Sequence, residues 1–290
     1  MSAPATDAWR AQRRGRRAAM LRAIGPIGIA SAVVIVVAII AAVAGSWLAP
    51  GNPELPNISL SFVGPMTGHL LGYDFEGRDV LSRLLAGAAT SMLGPIAVVC
   101  MSMTGGALLA LLAAWRRGTA DAVISSGLDI LFAFPGILLA VMAATVFGAG
   151  LWAAAIALAV AYMPYVARVL RGAALKERSL PYVAALEVQG AAGIAICLRH
   201  IVPNVLPLIV AQATIMIGYA MVDLAAISFL GLGVQPPTPN WGVMISENQV
   251  GILQGYPLPA LSAGICIVLV VVAFNVLGER LFGYAQETRR

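Results

Sequence analysis

Long apolar runs alternate with short polar intervals along this chain, and six of the runs are long enough to cross a bilayer. They cover about residues 25–49, 89–114, 123–148, 152–170, 203–228 and 258–282. A hydrocarbon core of about 30 Å takes about 20 helical residues at 1.5 Å each, so each run predicts one spanning helix. The longest charged break in the rear half is the interval 168–204. Within it Ser179 and Pro181 are helix-start signals: a hydroxyl can take a free backbone N–H, and proline loses no intrahelical bond in a first turn. Val183, Leu186 and Val188 give the short helix predicted over 180–193 an apolar side, and Gly190 and Gly193 end it. Ile194, Cys197, Leu198 and Ile201 return at helical spacing before Pro203 opens the next apolar run. Periodicity alone makes this either a plain helix-turn-helix connector or a loop offered to a partner.

Composition agrees with a membrane solvent. Of 290 residues 60% are hydrophobic and 11% charged, with mean hydropathy +0.89, against about 25% charged residues in a soluble domain. The reading is an all-α integral membrane protein with six transmembrane helices, and no soluble domain of any size is evident. The net charge of +5 would suggest nucleic acid in a soluble protein, but here the basic residues flank apolar runs and no nucleic-acid partner is expected. Six arginines at 10, 13, 14, 16, 17 and 22 precede the first run. That run is long enough for a full span, so it reads as an uncleaved helix rather than a signal peptide. With the N-terminus inside, sixteen basic residues fall on the cytoplasmic side: those six, Arg116, Arg117, Arg168, Arg171, Lys176, Arg178, Arg199, Arg280, Arg289 and Arg290. Only Arg78 and Arg83 fall outside, which places both termini and the 168–204 loop in the cytoplasm.

Residues 1–88 hold the basic tail, the first span and an outer segment, and 89–290 form a five-helix core with the cytoplasmic loop 168–204 and an outer loop 229–257. In the outer segment Val80, Leu81, Leu84, Leu85 and Ala88 recur at helical spacing, predicting an amphipathic helix on the outer surface whose charges form a solvated face. The second outer loop carries Phe229, Gly231, Pro236, Pro237 and Trp241. Its prolines stiffen the backbone, which suits an outer gate with Trp241 at the interface or plugging a cavity mouth.

Candidate chemistry inside the bilayer is sparse. Asp129 and Asp223 are the acids nearest membrane depth, and such an acid is by default a functional hypothesis because its burial costs a few kcal/mol. Each could line a wet pathway and meet an amine or a cation; the plain alternative is a helix-end acid satisfied by backbone or water. Pro135 and Pro164 interrupt spans and can kink them. His69 and His200 lie on opposite sides of the membrane and cannot share a metal, so hydrogen bonding is their expected use. Cys100, Cys197 and Cys266 stand singly, without a disulfide or metal framework, and the methionines of the spans read as core filler. No phosphate-cradling Gly-x-x-x-x-Gly-Lys-Ser/Thr motif occurs, so energy for any transport would come from another subunit or from an ion gradient. No metalloprotease motif and no nucleophile with a base suggest an enzyme.

Several stretches together resemble the second permease subunit of bacterial dipeptide, oligopeptide and nickel ABC importers. They are Gly72-x-Asp74-x-x-Gly77-Arg78-Asp79-Val80-Leu81-Ser82-Arg83, Leu131-Phe132-Ala133-Phe134-Pro135-Gly136, Tyr182 to Gly190, Arg199-His200-Ile201-Val202-Pro203-Asn204, and 228–242 with its Phe-Leu-Gly-Leu-Gly-Val-Gln-Pro-Pro-Thr-Pro-x-Trp-Gly run. The likeness runs nearly the full length. It implies a type I ABC importer permease fold in the bacterial inner membrane, and import of dipeptides or oligopeptides, or of a nickel chelate or haem. It also implies a homologous permease, two ATPase subunits that bind ATP and Mg, and an extracytoplasmic solute-binding protein as partners, with no cofactor in this chain. Coupling to the ATPases would run through Tyr182, Val183, Ala185, Leu186, Glu187, Gly190, Arg199 and Pro203. Two positions depart from the pattern: Ala184 stands where Glu is usual, with Glu187 nearly one turn on, and Leu224 stands where related chains carry an acid, with Asp223 beside it. An ion-coupled secondary transporter using Asp129 or Asp223 is the reading from a different class. Inverted repeats and broken helices would mark it, and no repeat is evident.

Overall fold

A computed structural model of the protein describes residues 5–116 and 118–287. Arg117, Arg289 and Arg290 lie outside them, as do the side chains of Arg116 and the six N-terminal arginines. The regular structure of the described residues is helical, with a short 3-10 turn, Ile58–Leu60, and two isolated β-bridges in the otherwise irregular outer segment. In order the helices are α1 (Ala5–Leu48), α2 (Val80–Arg116), α3 (Thr119–Phe132), α4 (Gly136–Phe147), α5 (Leu151–Arg178), α6 (Pro181–Val188), α7 (Gly193–Ile196), α8 (Val202–Phe229), α9 (Trp241–Glu247), α10 (Gln249–Leu253) and α11 (Leu258–Glu287). A π-helical turn, Cys197–Ile201, joins α7 to α8. α1 is broken at Gly25, whose φ of 65° is followed by Pro26, so its spanning part begins there.

Among the described residues five helices are long and apolar enough to cross a membrane, and α3 with α4 makes a sixth when the bent pair is counted as one span. The continuous span expected over 123–148 is a broken one: the two axes bend by 81°. Pro135 is the cause, since it supplies no N–H and pushes the residue before it out of helical conformation; it sits at φ −60°, ψ 128° as the residue preceding α4. At 1.5 Å per residue α3 and α4 reach only about 21 and 18 Å, too short for either to cross alone. α5, by contrast, continues through Pro164.

The second correction concerns residues 80–88. They do not form a separate helix on the surface but are the first turns of α2, which runs unbroken into the membrane span. Val80, Ser82, Arg83 and Ala88 are all buried.

Two cores hold the bundle. One joins the second half of α2 with α4, α5 and α8, and it includes Val183 of α6 and Ile196 and Ile201 beyond it. The other joins α1, the first half of α2, α9 and α11 through residues such as Ile35, Met92, Trp241 and Phe274. Without a hydrophobic driving force in lipid, helices associate through close packing of small residues. At Gly106 of α2 a Cβ would lie 2.7 Å from Val166 Cβ of α5, so only glycine admits this approach.

Candidate functional site

The outer end of the bundle is built on buried charge. Gly72 and Gly77 both adopt positive φ, folding residues 72–79 into tight turns that direct Asp74 and Arg78 inward. Arg78 Nε donates to Asp74 Oδ2 at 2.8 Å, and its NH2 donates to Glu247 Oε2 at 2.9 Å. Arg83 NH2 reaches the same Glu247 oxygen at 2.8 Å, and its NH1 donates to the Pro53 carbonyl. Asp79 Oδ2 caps the start of α2 by accepting from the backbone N–H and the hydroxyl of Ser82, and His69 Nδ1 lies 2.8 Å from Asp79 Oδ1. Asp74, Arg78 and Arg83 are at most 1% exposed, so the solvated face expected of these charges is instead an internal ion network. Burial pushes the Glu247 carboxyl up from its ordinary value, against the downward pull of Arg83 and Arg78. Buried charges persist only when paired, and this network fastens the outer segment to α2 and α9. Glu247 was not singled out from the sequence; a lone acid following the Trp241 stretch, set against two outer arginines, was the available signal.

The outer loop is locked to α2. After α8, Gly231 takes φ 77° while its N–H and that of Leu232 return to the carbonyls of Ser228 and Ile227, closing the helix in the manner that favours glycine. Asn240 caps α9 by accepting from Gly242 N and Val243 N. Trp241 is buried, its Nε1 donating to the Leu84 carbonyl at 3.0 Å. It therefore anchors the loop within the bundle and does not sit at an interface or plug a cavity mouth. Phe229 is half-buried, and Pro236 and Pro237, joined by a cis peptide bond, are exposed.

Between these ends a cleft of about 880 Å³ opens where α3 breaks into α4 and faces α5, α8 and α11. It brings Asp223 and Pro135 together, with Tyr162, Tyr165 and Tyr219 among its walls. Tyr162 OH donates to Asp223 Oδ2 at 2.8 Å, and Gln212 Nε2 donates to Tyr165 OH at 2.9 Å. Leu224, one residue on, is buried and directed at Gly94 of α2. The shift of the acid by one position thus turns it from the interior of the subunit into the cleft.

Asp129 and Pro164 belong elsewhere, to a separate cleft of about 290 Å³. Asp129 Oδ1 accepts from Arg168 NH2 at 2.8 Å in an exposed pair, and that guanidinium lies 4.5 Å over the Phe132 ring. Nearby, Arg171 Nε donates to Asp121 Oδ1 at 2.7 Å. These two pairs tie α3 to α5.

At the opposite end from the ion network, α6 stands between α5 and α8. Ser179 does not cap it as expected: Ser179 closes α5, its hydroxyl donating to the Lys176 carbonyl. The residue before α6 is Leu180, extended at ψ 145°, and Pro181 takes the first turn. α6 ends as Gly190 enters φ 78° and Ala191 N returns to the Leu186 carbonyl, which is shorter than the 180–193 helix expected. Val183 is 1% exposed and packs into the main core. Beneath it Glu177, 8% exposed, accepts from Tyr182 OH at 2.9 Å and from Asn204 Nδ2 at 2.7 Å, joining α5, α6 and α8 at one carboxylate. Burial and this bond to Glu177 push the Tyr182 phenol up. Glu187 is half exposed and lies 3.7 Å from Arg178. Ala184 and Ala185 are exposed with Val188, while Leu186 is half-buried; Arg199 and Pro203 are exposed, and the His200 ring lies against Tyr182. Glu177 was missed from the sequence because a single acid among basic residues carries no periodic signal.

Residues 106–287 match the family described as the binding-protein-dependent transport system inner membrane component. The chain belongs to this family. It is 39% identical over 218 residues to the glutathione transport system permease protein GsiD of Pectobacterium atrosepticum, covering 75% of this chain and 72% of that protein. Against GsiD of Escherichia coli it is 36% identical over 259 residues, covering 88% and 84%. A solved chain of the methionine ABC transporter MetNI, in an inward-facing conformation, superposes with a TM-score of 0.54 at 22% identity, covering 71% of this chain and 96% of that one. The protein is a multi-pass membrane permease subunit of an ABC importer with the type I importer fold. A broken helix such as α3–α4 also suits an ion-coupled carrier, and family membership decides between the two.

Proposed function

We propose that this permease imports small peptides, tripeptides such as glutathione included, as one half of a translocation pathway. Support comes from relatives named as glutathione permeases and from a protein of Brucella suis, 34% identical over 249 residues, named for peptide transport. The pathway would run past the cleft at Pro135 and Asp223 toward Asp129 and Pro164, under an outer gate built from Phe229, Gly231, Pro236 and Pro237 and held in place by Trp241. The partners are a homologous permease, two ATPase subunits that bind ATP and Mg, and an extracytoplasmic solute-binding protein. Both termini and α6 face the cytoplasm of a bacterial cell.

One observation carries the coupling role. α6 is fixed on one side by Val183 and the Glu177 carboxylate, and it leaves its other side open. Val188 is 88% exposed, and Ile194 and Leu198 beyond it are 73% and 60% exposed. Exposed apolar side chains grouped on a rigidly held element mark a surface that a partner covers. With Ala184 in place of an acid, docking rests on this apolar surface, with Glu187 at its edge. Closure of the ATPases would push α6 and, through Glu177, move α5 and α8 as rigid bodies.

Affinity purification of the tagged chain from its native membrane, followed by mass spectrometry, tests the proposal. Recovery of a Walker-motif ATPase, a second six-span permease and a solute-binding protein is expected. Recovery of a stable chain without any ATPase would overturn it.

A further inference from the structure

The Asp223 carboxyl group faces the cleft with no charged partner. Its hydrogen bond comes from the neutral Tyr162 hydroxyl, and among the described residues no Lys, Arg or His carries an opposing charge to it. The walls of the cleft are mostly apolar and aromatic. An ionisable group held at membrane depth without a counter-ion marks a place where one is supplied from outside the chain. The surroundings specify its sign and shape. Phe134 stands at the helix break, Tyr162 and Tyr165 on α5 and Tyr219 on α8, and the faces of such rings attract cations. A cleft of about 880 Å³ is within the range that holds a small organic molecule. Tyr162 fixes one carboxylate oxygen and leaves the other free to accept.

We propose that Asp223 and the aromatic rings around it form a binding site for a primary ammonium group, the cationic end of a cargo molecule in transit. Only the identity of that cargo rests on the peptide reading; the site itself rests on the cleft. Leu224, the next residue, is instead buried against α2, so of the two positions it is 223 that faces the cleft.

The test uses the transporter complex in lipid nanodiscs and two fluorescent probes, dansylcadaverine and its N-acetylated form, which differ in the ammonium charge. Polarisation is corrected with empty nanodiscs. The wild type should bind the amine about tenfold more tightly than the acetylated probe. D223N should reduce that ratio to about one, and D223E should keep most of it. Equal binding of both probes by the wild type, or an unchanged ratio in D223N, overturns the proposal. A wild type that prefers the amine but transports no peptide would leave the site standing and refute the peptide reading instead.

Discussion

Replacing Glu177 by alanine should release α6 from the bundle. The carboxylate accepts from Tyr182 OH at 2.9 Å and Asn204 Nδ2 at 2.7 Å, and a hydrogen bond to a charged acceptor contributes about 1.5–3 kcal/mol. Asn204 is exposed and Tyr182 only half-buried, so both donors regain water when the acceptor is lost. The combined cost then falls below the sum of two such bonds, at about 2–3 kcal/mol for the pair. Since about 1.4 kcal/mol is a factor of ten, local opening of α6 should become about 30- to 150-fold more frequent. Hydrogen–deuterium exchange of the isolated permease in nanodiscs reads this directly, because no ATPase then covers the helix. Amides of 183–190 should exchange faster by that factor in E177A, with the helices of the outer end unchanged. Y182F, which removes one of the two bonds, should give about a five- to tenfold rise. Exchange of α6 in E177A within twofold of the wild type would refute the claim that this carboxylate holds the coupling helix.

Other perturbations separate the two ends of the molecule. E247A leaves Arg78 and Arg83 buried without their shared partner and should cost about 3–5 kcal/mol, seen as a lower melting temperature in detergent; an unchanged melting temperature would contradict the ion network. Because burial raises the folded-state pKa of Glu247, its titration adds stability at low pH that is lost as pH rises through the raised value. The melting-temperature difference between wild type and E247Q should therefore move in the wild type's favour from pH 7 to pH 5, and movement the other way would exclude that shift. G106A forces a Cβ to 2.7 Å from Val166 Cβ and should destabilise the α2–α5 contact by about 1–3 kcal/mol; a neutral result would mean the helices separate freely there. G190A, at φ 78°, should cost about 1–2 kcal/mol and speed exchange at the end of α6 without altering α9.

Much of this architecture is visible in hydropathy, because apolar length alone dictates a span. α5, α8 and α11 lie where the apolar runs predict them, although α5 extends further toward the coupling loop than its apolar residues do. The span over 123–148 illustrates the limit. Pro135 signals a kink, but whether a proline bends a helix or separates two depends on the packing around it, and here the break lines a cleft. The outer segment shows a different limit. Asp74, Arg78, Asp79 and Arg83 look like a solvated face because their counterpart, Glu247, lies more than 160 residues away. Trp241 reads from the sequence as an interface or gate residue, because its partner, the carbonyl of Leu84, lies 157 residues away. The coupling loop was recognised through Tyr182, Gly190 and Asn204, while Glu177, which binds two of them, belongs to no repeating pattern. The one-residue offset between Leu224 and Asp223 was readable as about 100° of helix, and the structure supplies what each direction meets.

The most direct test of the account is ATP-driven uptake. The full complex is reconstituted in proteoliposomes with its solute-binding protein outside and ATP inside, and accumulation of radiolabelled dipeptide or glutathione is followed in wild type and E177A. The wild type should concentrate peptide against its gradient only when ATP is present, and E177A should hydrolyse ATP while importing several-fold less peptide per ATP. Peptide accumulation that is independent of ATP, or full uptake by E177A with α6 released, would contradict the claim that this permease is driven through that helix.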